Sequence, residues 1–579
     1  MKLTTHWPAH ASPPRVLVQA ATQIREAAIS LRARPDFRVF GAVILILALY
    51  RILFVVTYPI NIAHDADNYL RLMIMKHASH LIHAGGYPFF VNLFFFWVRF
   101  PDEPPVSFLY GLQVLQHGVE LLSLSVLFFC LSDLFNKWIA ALALIFVGMD
   151  IDAMAFTNAS SPEWLQADAL VLSCCAAYRG FVAKKDNEKT IYYALSSASF
   201  VLAYLVKFNT LVFVVLFVPI YLFEKSSRKR LFALAALLAG VAVYALFMIS
   251  YHYPSTRSRE LTADASWIFM EKLYSIWGNY GLENMGVNTK RLIALNGVLP
   301  NRRSPSESFS IYRAVDSVPD AERTLYRDRY LWLLRAEDPE LDLFVEGHPL
   351  PKDFHLFNAY IPVAYYFGLQ ESDRLCTKVF IEVIHRHMRE YLERNLAEAW
   401  EFLAGYPGEF LRSTGHLLPI SGGGGATGLR EDSRQDPIEK EDLGFGFVRI
   451  EPNRAHNWGL AQYYSPWPVL WRPGHQWFSL ESRFALPNGI LLLVFGLLAI
   501  YVYRDWSQEG FTLRTAVAIF ILVAVPGFMT FSKFLYFFRD KELRLLWPMV
   551  GTAYAIVAWS LGQWSVAWLR RVQARIKRE

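Results

Sequence analysis

Long apolar runs constrain this chain more than any motif does. A helix needs about 20 mainly apolar residues to cross the hydrocarbon core of a bilayer, and about ten stretches approach that length. They lie near 39–58, 107–133, 137–155, 165–182, 190–206, 208–224, 231–250, 488–503, 511–534 and 546–566. In lipid every backbone polar group must find its partner inside the protein, so such runs fold as helices. The expectation is an all-α polytopic membrane protein of about ten transmembrane helices, with a mainly helical insert facing outward. Composition agrees: 54% of the 579 residues are hydrophobic and 19% charged, against roughly a quarter charged in soluble chains.

Lys and Arg in short loops set orientation. Arg25, Arg32, Arg34 and Arg38 precede the first run, "RGFVAKKDNEK" separates the fourth and fifth, and "EKSSRKR" separates the sixth and seventh. "RRVQARIKRE" ends the sequence. With alternating spans all of these fall on one side, the cytoplasm, together with both termini. Residues 1–38 are then a cytoplasmic segment, and 39–250 a transmembrane module whose first outward loop is 59–106. Residues 251–487 form an outward, mainly helical domain, and 488–579 the last spans and a basic tail. The basic N-terminus lacks the short apolar core and small-residue site of a cleaved signal, so the first span reads as the targeting anchor.

Within this frame "PFFVNLFFFWVRF", residues 88–100, is too short for a crossing and suits an interfacial or re-entrant helix. "SDRLCTKVFIEVIHRHMREYLERNLAEAWEFLAG" carries apolar residues at spacings of three and four, so the outward domain should hold a long helix there. "AERTLYRDRYLWLLRAE" and "DFHLFNAYIPVAYYFG" also read as helical. Residues 421–444, with "SGGGGATG", have no periodicity and read as a loop. No repeat of 20–50 residues is present.

Net charge is +6, too mild and too segregated for a nucleic-acid partner. Cys130, Cys174 and Cys175 sit in apolar runs and Cys376 in the polar region, which leaves no disulfide framework.

Chemistry concentrates at the outward face. "NIAHDADNYLRL" places Asp65 and Asp67 just beyond the first span. Carboxyls beside a low-dielectric surface are poised for general-base work; the plain alternative is an acidic pair that ends a helix in water. Asp150, Asp152 and Glu163 surround the next outward connection. Lys207 interrupts an apolar run at its outward turn, and Lys533, Arg539, Lys541 and Arg544 flank the last spans. Acids and cations gathered from distant segments suit a reaction on a lipid-borne phosphate, with cations holding the phosphate.

Three short motifs carry a family resemblance. "LALYRILFVVTYPINIAHDADNYLRLM" resembles the start of the GT-C superfamily of integral-membrane glycosyltransferases, with an arginine (Arg51) in the outer half of the first helix and an acidic motif opening the first loop. "GGYPFF" sits where that superfamily has a Pro-rich motif before an interfacial helix, and "ELRLLWP", residues 542–548, resembles its Glu-x-Arg-aromatic-x-x-Pro pattern. Two departures stand out: Ala66 separates the two aspartates, and position 545 is Leu rather than aromatic. The resemblance implies transfer of a hexosyl or pentosyl group from a polyprenyl-phosphate donor to a glycan, lipid or protein acceptor, with inversion. The setting implied is the periplasmic face of a bacterial inner membrane. It implies Asp65 as base, with Asp67 as its rival or as a ligand for a divalent metal or the acceptor. Arg544, then Lys207 and Arg539, would hold the donor phosphate; Glu163 and Asp152 are secondary acids. The rival classes are a transporter or lipid flippase, a polymerase or ligase using lipid-diphosphate-linked glycans, and a non-catalytic assembly protein.

Other signals carry less. His77, His80 and His83 fan round a helix and suit an interfacial position better than a metal site. His385 and His387 fall on different helix faces. "NAS" at 158–160 fits a glycosylation acceptor that also arises by chance. The aromatic stretch 457–478 reads equally as a sugar-stacking surface and as an interfacial belt.

Overall fold

The computed structural model describes residues 36–57, 60–62, 86–96, 106–149, 162–206, 226–256, 284–299, 320–347, 360–367, 369–393 and 396–397. It also describes the strand residues 439–442, 448–451 and 462–465, with Met154 and Thr157. The expected spans at 208–224 and beyond 487 lie outside these residues.

The membrane part contains α1 (Phe37–Thr57), α2 (Gly86–Phe95), α3 (Val106–Leu134), α4 (Lys137–Gly148), α5 (Glu163–Val182), α6 (Asp186–Val206) and α7 (Ser227–Thr256). Among the described residues four helices are long and apolar enough to cross a membrane, in α1, α3, α6 and α7. Exposed side chains on α1, such as Leu45, Leu49 and Ile52, suit a surface that meets lipid rather than water. The 12-residue α4 differs from expectation. It stops at Gly148 rather than near 155, and spans only about 18 Å, short of the hydrocarbon thickness. Its start is fixed instead by Asn136, whose side chain accepts from the Trp138 and Ile139 amides at 2.9 and 3.0 Å.

Polar contacts at one end of the bundle tie helix ends together. Ser132 donates to Asp36 at 2.7 Å, joining the end of α3 to the start of α1. Arg179 pairs with Asp133 at 2.5 Å, joining α5 to α3, and Lys229 of α7 pairs with Asp186 of α6. The two basic loops expected on one side therefore meet at one end. Between α5 and α6 the hydroxyl of Ser173 donates to the Ser196 carbonyl at 2.7 Å and that of Ser196 returns the bond at 2.9 Å. Small hydroxyl residues let two membrane helices approach closely.

At the other end lies α2, ten residues and about 15 Å long, too short to cross. Its Gly86 lies against the backbone of Leu205, where any Cβ would collide. Tyr87 and Val91 are buried while Phe89, Leu93 and Phe94 are exposed. The run expected to be a short helix at 88–100 is thus a helix over Gly86–Phe95, with one face on protein and an exposed apolar face opposite.

Within the stretch expected as a domain, 251–487, a second group of packed helices is described: α8 (Val287–Val298), α9 (Asp320–Arg335), α10 (Asp338–Gly347), α11 (Tyr360–Phe367) and α12 (Leu369–Arg386). Its core gathers Leu292, Leu295, Leu333, Leu341, Val379 and Val383. The long helix read from sequence is α12, which continues through 388–393 after a bend at His387. Glu382 of α12 caps α8 from the side. It accepts from the Asn288 and Thr289 amides at 2.9 and 3.0 Å, and from their side chains at 2.8 and 2.9 Å. Gly286 at the cap leaves room for that carboxylate, and a Cβ there would run into it. Gly286→Ala should displace Glu382, undo the cap and cost about 1–2 kcal/mol, read as a lower unfolding midpoint of the purified protein.

Lys290, also on α8, is buried beside Asp342 at 2.7 Å and Asp338 at 3.3 Å. Burial pulls its pKa down, but hydrogen bonds and charge from the two aspartates outweigh that and hold it above the ordinary value. A lysine that binds its proton more tightly when folded stabilises fully below the unfolded value, roughly pH 10.4, and loses that contribution as pH climbs through the raised one. The unfolding midpoint should therefore fall above that pH, and less so in Lys290→Met.

Mainly helical structure is thus joined by a small antiparallel sheet, β1 (Ile60–Ile62), β2 (Glu439–Asp442), β3 (Val448–Glu451) and β4 (Gln462–Ser465), in the order β1-β4-β3-β2. Ile60 pairs with Tyr464 and Ile62 with Gln462. The end of the stretch expected as a loop, 439–442, is a strand, and so is part of the aromatic stretch 457–478. β2 is all charge ("EKED") and occupies an edge, where charge discourages pairing with other chains.

Candidate functional site

The best-defined polar constellation lies inside the helical bundle. Arg51, in the last third of α1, is 2% exposed and donates both terminal nitrogens to Glu120 of α3, at 2.6 and 2.7 Å. This two-pronged geometry matches a guanidinium to a carboxylate. Arg51 also donates to the Gly148 carbonyl at the end of α4, at 3.2 Å, and meets His117 Nδ1 at 2.9 Å. A guanidinium only donates, so Nδ1 is the acceptor and the His117 proton belongs on Nε2. Thr157 donates to Glu120 at 2.6 Å, and Gln116 donates to the Thr157 carbonyl at 2.9 Å. One turn along, Ser123 bonds Asp168 of α5 at 2.5 Å, while the second Asp168 oxygen is buried without a hydrogen bond.

Sequence reading found Arg51 but missed His117, Glu120 and Asp168. The signal was present: Gln113, Gln116, His117, Glu120 and Ser123 recur at three and four along one face of α3. A buried charge in a membrane helix is costly and needs a partner, and this stripe supplies it.

A second, mostly apolar cluster lies at the α2 end. Tyr87 of α2, Phe108 and Leu109 of α3, Trp164 of α5 and Val206 of α6 are buried together. The Tyr87 and Trp164 rings meet edge to face, with centroids 6.4 Å apart. Trp164 directly follows Glu163, and Val206 directly precedes Lys207. The cluster thus draws the sequence neighbours of two candidate residues to one end of the bundle, around α2.

Of the candidates themselves, Glu163 is the first residue of α5, described by its backbone alone. Asp65, Asp67, Asp152, Lys207, Arg539 and Arg544 lie outside the described residues, as do His77, His80 and His83. Among the described residues no three His, Cys, Asp or Glu gather as a metal site. The four cysteines are buried and free.

No family model matches this chain, and no curated protein does. Among solved structures it is similar to ArnT from Cupriavidus metallidurans bound to undecaprenyl phosphate, at TM-score 0.30 and 10% identity, covering 90% of this chain and 77% of that one. The apo state of the same protein matches at TM-score 0.29 and 12% identity, covering 89% and 76%. Scores of this size carry neither a residue nor an activity across.

Proposed function

We propose that this chain is an integral-membrane glycosyltransferase that moves a sugar from a polyprenyl-phosphate donor to a glycan, lipid or protein acceptor at the outer face of a membrane. The observation that carries the reading is the cluster of Tyr87, Trp164 and Val206. It pins α2 to the bundle and leaves Phe89, Leu93 and Phe94 exposed as an apolar surface for a donor's polyprenyl chain, and its Trp164 and Val206 are next in sequence to a candidate acid and a candidate cation. The acidic motif Asp65-Ala66-Asp67 opens the same outward loop that α2 closes.

In this reaction Asp65 takes the proton of the acceptor hydroxyl as its oxygen attacks the anomeric carbon. The bond from that carbon to the phosphate oxygen breaks, and the phosphate leaves with the electron pair. Charge on the leaving phosphate is met by Arg544, Lys207 and Arg539. Attack opposite the leaving group inverts the anomeric centre, through an oxocarbenium-like transition state. Asp67 is the rival base or holds the acceptor or a divalent metal, and Glu163 and Asp152 are secondary acids. Both terminal nitrogens of Arg51 are bonded inside the bundle, so its part is to fix the helix that leads into the acidic loop.

A second reading, a transporter or lipid flippase without chemistry, draws on Arg51, His117, Glu120 and Asp168 lying within the bundle, since ionisable groups at such depth also mark transport pathways. Reconstituted protein offered a panel of polyprenyl-phosphate sugars separates the two. Transfer by wild type that is lost in Asp65→Asn or Asp67→Asn supports the enzyme. Movement of the lipid across the bilayer with no product from any donor supports the transporter.

A further inference from the structure

We propose that Asp168 is a proton-binding site inside the bundle, its carboxyl holding a proton as the counter-charge that lets α5 close on α3. The argument is a count of charges. The interior network contains three groups that ionise readily, Arg51, Glu120 and Asp168, all buried. Arg51 gives both terminal nitrogens to Glu120, so that pair is neutral as a whole. His117 meets Arg51 through Nδ1. A doubly protonated imidazole has no acceptor to offer a guanidinium, so His117 is neutral too. An ionised Asp168 would therefore leave one negative charge without a cation.

The packed elements do not supply that cation. From α3, Ser123 bonds Asp168 Oδ1 at 2.5 Å, and the charge one turn before Ser123 is the like charge of Glu120. From α6, which meets α5 through the reciprocal Ser173 and Ser196 bonds, the half that runs antiparallel past Asp168 has Tyr204 as its titratable group. The Tyr204 ring lies against Tyr244 of α7. Asp186, Glu188 and Lys189 belong to the opposite end of α6, and α2 brings Tyr87 to the neighbouring Trp164. Apart from Arg51, the Lys and Arg residues described in α1–α7 sit at the far end of the bundle, where Arg179 holds Asp133 and Lys229 holds Asp186.

A second observation points the same way. Asp168 is 6% exposed, and its Oδ2 is buried without a hydrogen bond. An ionised carboxylate in such a place costs far more than the neutral acid, and a group so placed takes up a proton instead. One proton cancels the surplus charge and leaves the Arg51–Glu120 pair as it is. A metal ion fits less well. Hard cations take six or more oxygen ligands, whereas the Asp168 carboxyl meets a single hydroxyl, and among the described residues no three His, Cys, Asp or Glu gather. The inference needs the helical bundle but neither reading of its activity.

The test uses the full chain in lipid vesicles at neutral pH, read by infrared difference spectroscopy of wild type against Asp168→Asn, in sodium and in choline buffer. A protonated carboxyl absorbs above the amide bands. Wild type should show such a band in both buffers, Asp168→Asn should lack it, and heavy-isotope labelling of the aspartate carboxyls should shift it in unsubstituted protein. Asparagine copies the neutral acid in shape and charge, so Asp168→Asn should also unfold at the wild-type midpoint. Glu120→Gln, which takes from Arg51 a charge it uses, should unfold earlier. A difference spectrum with an ionised carboxylate in place of the protonated band overturns the proposal. A band present in choline and lost in sodium overturns it in favour of a metal cation. An Asp168→Asn protein that unfolds well below wild type, or does not fold, overturns it as well, because the negative charge would then be what the seam requires.

Discussion

Glu120→Leu should destabilise the protein by about 3–5 kcal/mol, because it removes the hydrogen-bonded carboxylate partner of the buried Arg51 guanidinium. Two charge-assisted hydrogen bonds disappear, and Thr157 loses its acceptor in the same step. What remains around Arg51 is the Gly148 carbonyl and the His117 ring nitrogen, both neutral. The low dielectric that strengthens the intact pair makes an unpaired cation correspondingly costly. Glu120→Gln keeps the shape and one acceptor oxygen and should fall between leucine and wild type. The informative variant removes both charges: Arg51→Met with Glu120→Leu should regain most of the loss, since replacing a whole buried pair by apolar groups is often nearly neutral. Unfolding of the purified protein in mixed micelles, followed by tryptophan fluorescence, measures all four. If the double variant is as unstable as Glu120→Leu, the pair is not what holds α1 to α3.

That network also marks the boundary of what could be read in advance. The apolar runs of α1, α3, α6 and α7 were legible because lipid forces a helix on any such run. α2 was legible as a short helix from length, since the run 88–100 is too short to span. α12 was legible because its apolar spacing is that of a helix with one face buried. α4 ends earlier than the span read at 137–155: Met149 caps it just before Asp150 and Asp152, and the Gly148 carbonyl joins the Arg51 site. The sheet could not be foreseen, because β1 finds β4 some four hundred residues away (Ile60 with Tyr464) and three- or four-residue strands carry almost no pattern. The partners of Arg51 were a near miss. Counting the span at 107–133 as apolar on average concealed a polar stripe that a view by helical face exposes. The candidate acids and cations were chosen for chemical type and position at one face. The described residues bring only the neighbours of Glu163 and Lys207 together, through Trp164 and Val206.

Asp65→Asn should lower transfer from a polyprenyl-phosphate sugar by about 10²–10⁴-fold, the usual worth of a positioned general base. The amide keeps the size and the hydrogen-bonding reach of the side chain but cannot take a proton, so donor binding should change little while turnover collapses. A loss in kcat with KM nearly constant is therefore the expected split. Asp67→Asn separates the roles left open by Ala66. If Asp67 is the base, the two variants exchange behaviours. If Asp67 holds the acceptor, its variant raises the acceptor KM and leaves the donor KM alone; if it binds a divalent metal, added metal shifts its activity. Arg544→Gln should act on the other side of the reaction, where charge builds on the departing phosphate, and should reduce transfer most for donors with the poorest leaving group. The pH profile gives an independent reading. A carboxylate base must be ionised to work, so wild-type kcat should fall on the acid side, and that limb should vanish from the residual activity of the variant that has lost the base. Wild-type transfer that survives unchanged in both aspartate variants, with the acid limb intact, would assign the proton to another group and leave the acidic motif a structural one.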